Sequence, residues 1–227
     1  MRQLLLTLAL AMGAAPAFAQ GTEAEPQAAP GSIAIGMIEA VRGEGIFEIV
    51  HNGQVAVRHA RSGLTCHFAR DGAGGRLIIF EPQRDPPFPD REPAIPRGDD
   101  VACEMNEGGA QVRYFATRYP FGSTLEEQLS GVEAAIRRRD ANALRYPGET
   151  LRTSNDGLPD RRSARFIVTE NGTRTFTRAS VARVGDWILK LRLSAPAPDD
   201  AAAAQADQLA DSLFDGALTE IIAPRPN

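Results

Sequence analysis

Lysine is almost missing from this 227-residue chain: the 25 basic residues include only Lys190, which leaves 24 arginines. Cationic work therefore falls to guanidinium, which is permanently charged and matches carboxylate and phosphate through parallel hydrogen bonds. The arginines are scattered along the sequence, which points to a compositional habit of the source genome rather than to one anion-binding surface. Cysteine is equally scarce. Cys66 and Cys103 are the only two, too few for a cysteine-rich scaffold and too far apart for a C-x-x-C metal or redox pair. Histidine is limited to His51, His59 and His67, and tryptophan to Trp187. The formal charge of −4 lacks the basic excess that nucleic-acid binding uses, so nucleic acid is not an expected partner.

Catalytic signatures are missing as well. There is no H-E-x-x-H zinc pattern and no G-x-S-x-G nucleophile elbow, and the glycines of 72–75 are not followed by the Gly-Lys-Ser/Thr of a phosphate loop. Asn171-Gly172-Thr173, Arg97-Gly98-Asp99 and the proline-rich Pro86 to Pro89 match short motifs, but each reads equally well as an ordinary turn or loop.

What is present begins with an export signal. Arg2 forms a positive start, Leu4 to Met12 an apolar stretch too short to span a bilayer, and Ala17-Phe18-Ala19 a small-residue cleavage site. Cleavage is expected after Ala19, leaving 227 − 19 = 208 residues in the periplasm or outside the cell, with no membrane span. In an oxidising compartment Cys66 and Cys103 are expected to pair. Such a bridge, 37 residues in sequence, is worth about 4 kcal/mol in the chain-entropy picture.

Residues 20–30 lack large apolar side chains and are expected to be a disordered leader. Ile33, Ile35, Met37, Ile38 and Val41 fit a short helix ended by Gly43, with a strand as the competing reading. Strands over 46–50 and 56–59 around Asn52-Gly53, then 64–68 and 77–80, lead into residues 81–97, whose six prolines suit an exposed loop. A hairpin over 101–105 and 111–119 follows. In this arrangement the disulfide would tie neighbouring or next-but-one strands of one sheet.

Ser123 and Glu126 suggest a capping box for a helix with Leu125, Leu129, Val132 and Ile136 on one face and Arg137 to Arg139 at its end. Residues 147–161 read as a loop. Strands over 164–169, 174–184 and 187–193 come next. In the last, Trp187, Leu189, Leu191 and Leu193 should point inward and Lys190 and Arg192 to water. A closing helix capped by Asp199 or Asp200 is expected to end at Gly216, with a strand over 218–222 and a frayed tail at 223–227. The whole is an α+β fold, mainly an antiparallel sheet with helices packed on it, expected as one domain over 31–222 with a possible subdivision near 122. The order of elements over 110–222, with its tryptophan-bearing strand before a C-terminal helix, resembles the PsbP/Mog1-like α/β family, and no functional residue transfers with that resemblance. The cysteine segments are similar to those of uncharacterised exported bacterial proteins.

Two chemical readings remain. His51, His59 and His67, eight residues apart, are the right side chains for zinc, but turns separate them and no metal or cofactor is expected. His59 with Ser62 and Asp99 or Asp100 could form a small hydrolase centre, although Ser62-Gly63 reads equally well as a turn. The favoured reading is a non-enzymatic exported module that binds an unidentified protein or small ligand.

Overall fold

The computed structural model describes residues 28–81, 95–148, 151–153, 157–170 and 172–223. The expected signal peptide, most of the expected leader and of the proline-rich segment, Asn171 and the end of the expected tail lie outside them.

Helix α1 (Pro30–Ala40) precedes a small antiparallel sheet of β1 (Phe47–Ile49), β2 (Val55–His59) and β3 (Thr65–Phe68). The larger sheet contains β4 (Arg76–Ile79), β5 (Asp100–Glu107), β6 (Ala110–Arg118), β7 (Leu144–Arg145), β8 (Leu151–Arg152), β9 (Arg161–Glu170), β10 (Thr173–Val184) and β11 (Trp187–Pro196). Its order is β4-β5-β6-β11-β10-β9-β7, with β8 also on β9. Every pairing is antiparallel. Helices α2 (Leu125–Arg139) and α3 (Asp200–Ile222) complete the α+β architecture.

The strands follow from alternation. In β11, Trp187, Leu189, Leu191 and Leu193 are buried in the main core with Cys103, Val112 and Phe176, because successive side chains point to opposite faces. Between β5 and β6, Gly108 (φ 56°) and Gly109 (φ 78°) form a two-residue turn that needs positive φ at both positions. On the opposite face, Val132 and Ile136 of α2 pack on Phe166, Val168 and Ala179.

Five expectations need correction. The disulfide Cys66–Cys103 joins β3 of the small sheet to β5 of the large one, so it fastens two sheets instead of two strands of one. The cap of α2 is one residue later. Thr124 accepts from the Glu127 amide at 3.1 Å while the Glu127 carboxylate accepts from the Thr124 amide at 2.8 Å. Ser123, adjacent and chemically able to cap, instead accepts from the Gln128 side chain at 2.9 Å. Residues 147–161 contain β8 rather than loop alone. Lys190 is half-buried against Phe115, 5.5 Å from its ring centroid, not extended into water.

The fifth correction concerns α3, which continues through Gly216 to Ile222 in place of a separate strand. Its buried residues Ala203, Ala206, Ala210, Phe214 and Leu218 recur at helical spacing past the glycine. Burying Phe214 and Leu218 is worth about 1.5–3 kcal/mol each, against about 1 kcal/mol for a glycine inside a helix. A second stripe on α3 is polar. Asp207 accepts from Arg165 (2.7 Å) and Arg178 (2.6 Å), Asp211 from Arg178 (2.5 Å) and Arg152 (2.9 Å), and Asp215 lies 3.0 Å from Arg161. Four scattered arginines of β8, β9 and β10 are thus gathered under one helix.

Candidate functional site

His59 ends β2, and the turn to β3 is closed by the Gly63 amide donating to the His59 carbonyl at 2.9 Å. Gly63 takes φ 79° there, a conformation that favours glycine. The turn folds Ser62 back on the imidazole, with Oγ 2.8 Å from Nδ1, while Nε2 lies 3.0 Å from the Gly98 carbonyl. A carbonyl only accepts, so Nε2 carries the proton and Nδ1 accepts from the Ser62 hydroxyl. Phe47 and Trp187 meet the ring edge-on, at 5.7 and 5.1 Å between centroids. Burial holds the His59 pKa down at about 4, outweighing the raising effect of its Gly98 hydrogen bond.

Asp99 does not orient this histidine. One of its oxygens is taken by Arg61 and the other by Arg118, at 2.9 Å from Nε and 2.7 Å from Nη2. Asp100 points to the other face of the sheet and accepts from Thr117 at 2.8 Å; burial raises its pKa. The sequence-expected group is therefore half assembled: Ser62 and His59 meet, while Asp99 and Asp100 serve other partners. His59 is fully buried and Ser62 is 7% exposed, so the pair ties the β2–β3 turn to the segment before β5. The three histidines do not converge. His51 is exposed at the β1–β2 turn, and His67 lies 3.1 Å from Glu220 of α3. Among the described residues no cluster of three or more His, Cys, Asp or Glu is placed to hold a metal ion.

A second candidate site lies elsewhere, and the sequence reading missed it. A cavity of about 320 Å³ opens between β3, the β5–β6 hairpin and α3. Met105, Val112 and Tyr114 supply its floor, Leu213, Gly216 and Ala217 its helical wall, and His67, Glu107 and Glu220 its polar groups. The Tyr114 hydroxyl donates to the Leu213 carbonyl at 3.3 Å. Burial, then the Glu107 and Glu220 carboxylates, push the Tyr114 pKa upward. Small residues are the signal that could have found it: Ser212, Gly216 and Ala217 leave room where α3 passes the sheet. Reading Gly216 as a helix end removed that wall from view.

The fold and these sites define an antiparallel α+β protein with a disulfide between its sheets. Among solved structures, the chain is similar to cyanobacterial PsbP (CyanoP) from Synechocystis sp. PCC 6803, in solution, at 13% identity and a TM-score of 0.41 over 72% of this chain and 88% of that one. No family model matches the sequence, and no curated protein matches it.

Proposed function

We propose that the protein is an exported, non-enzymatic binding module that takes a small amphipathic ligand in the cavity under α3. The observation that carries this reading is the cavity itself. Its 320 Å³ falls within the range of small-molecule sites, and its apolar floor with a few polar groups at the mouth is the usual make-up of such sites. Glu107 and Glu220 favour a ligand whose polar end is cationic or donates hydrogen bonds. The inter-sheet disulfide supports export, since such bridges persist in oxidising compartments, and cleavage after Ala19 remains the proposed processing site. Residues 31–222 are proposed to act as one domain, in which strands from both sides of residue 122 pair directly. Titration with octylamine, followed by amide chemical shifts, should perturb Tyr114, Leu213 and Ala217 saturably; shifts absent from all three overturn the reading.

A hydrolase using His59 and Ser62 is the second reading, favoured by their 2.8 Å contact. It requires the β2–β3 turn to open so that a substrate can reach Ser62. An esterase, phosphatase and peptidase screen in which wild type has an activity that His59→Ala loses would replace the binding reading with this one.

A further inference from the structure

On the sheet face away from α3, one row of paired residues runs Arg76, Glu104, Arg113, Arg192 across β4, β5, β6 and β11. Glu104 accepts from Arg76 at 3.0 Å and from Arg113 at 2.7 Å, and those guanidinium groups help lower its pKa against burial. Arg113 and Arg192 are directly opposite each other on β6 and β11, a like-charge pairing that costs stability. Arg139, the last residue of α2, comes over the same spot. The three guanidinium groups, with Gln111 and Ser194, line a cavity of about 80 Å³, so every lining side chain can hydrogen-bond. An adjoining cavity of about 50 Å³ shares Arg139 and Arg192 and adds Asp140. The Asp140 oxygens accept from the Thr169 amide at 3.0 Å and the Asn142 amide at 2.8 Å. Four arginines thus face two carboxylates here, on a chain whose formal net charge is −4.

We propose that this cleft binds a tetrahedral oxyanion, either inorganic phosphate or the phosphoryl group of a small monoester. Arg139 and Arg192 supply the principal charged donors, with Gln111 and Ser194 as neutral ones. Guanidinium suits this role because its planar fork gives two parallel hydrogen bonds to phosphate oxygens. Arg113 and Gln111 both donate to Glu104, Gln111 at 3.2 Å, so that carboxylate competes with the anion. Both Arg139 and Arg192 also have interactions within the protein, and the anion would join that set. The site lies on the opposite face from the cavity under α3 and is independent of it.

The test is calorimetric titration of the purified protein at fixed ionic strength with inorganic phosphate and, separately, glycerol 3-phosphate. Saturable binding of either is expected, and whichever binds identifies the source of the phosphoryl group. Arg139→Gln, on an exposed helix end, and Arg192→Gln should each weaken it by about tenfold, the loss of one charge-assisted contact. Glu104→Gln should tighten it by removing the competitor. Circular dichroism of each variant separates a lost site from a lost fold. Absence of saturable binding to wild type at about 10 mM ligand, weaker than any ordinary specific site, overturns the proposal. So does binding that the folded Arg139→Gln and Arg192→Gln proteins retain unchanged.

Discussion

Cys66 and Cys103 are 6.3 Å apart at Cα and bond β3 of the small sheet to β5 of the large one. Leu77, paired with Cys103 on β4, is buried in the same core. The bridge therefore fixes how one sheet seats on the other, in addition to shortening the unfolded chain.

Replacing both cysteines by alanine should lower stability by about 4 kcal/mol, measured by denaturant unfolding. Hydrogen exchange should rise first in β1, β2 and β3. A uniform rise across both sheets would show that the bridge does not act mainly at their junction.

His59 predicts an acid-sensitive fold. Its folded pKa of about 4 lies below the ordinary 6.5, so between these values the unfolded chain binds the extra proton. The stabilising difference is fully present above about pH 6.5 and is lost as pH falls toward 4, by about 3 kcal/mol. Asp100, whose pKa is raised by burial, acts in the opposite sense at the acid end. The useful quantity is the difference in stability between wild type and His59→Leu at each pH. It should shrink through this window, and a constant difference would remove His59 as the cause.

Arg178 is 4% exposed at its side chain and holds both Asp207 and Asp211 of α3. Removing one partner of a buried network leaves uncompensated charge, so Arg178→Ala should cost roughly 3–5 kcal/mol. Thermal unfolding checks this, with exposed Arg138→Ala as the control expected to change little.

Gly216 distinguishes a continuous α3 from one that ends there. A Cβ added at Gly216 meets nothing within 4 Å, and its φ is not positive. Gly216→Ala should therefore stabilise the protein by about 1 kcal/mol. Destabilisation would indicate a left-handed helix cap at that residue instead.

Local patterning made most of the elements legible in the sequence: the alternation of Trp187 to Leu193, the hairpin of β5 and β6, and the apolar face of α2 are each local. Asn52-Gly53 lies between β1 and β2 as expected, but only Gly53 has positive φ, so the connection is a longer loop and not a type I′ turn. Contacts between elements were less legible. Pairing of Cys66 with Cys103 followed from compartment chemistry, but which sheets they join depends on how β3 folds over β5. Ser123 and Thr124 offer the same capping chemistry one residue apart, so composition alone does not choose between them. The aspartates at 207, 211 and 215 sit on one helical face, yet the arginines that meet them come from three strands, and the scatter of arginine along the sequence concealed that convergence. At the candidate sites, nearness in sequence brought Ser62 to His59, whereas Asp99 is held by Arg61 and Arg118 instead. The cavity under α3 is built from β3, β5, β6 and α3, segments up to 155 residues apart (Thr65 to Glu220), and no local motif announces it.

The most direct test of the binding account is octylamine affinity, measured by calorimetry, for wild type and for Ala217→Trp, which places a large ring in the cavity wall. The account predicts saturable binding to wild type and its loss in a variant that still unfolds cooperatively. Equal binding by the two proteins, or none by wild type, would contradict it.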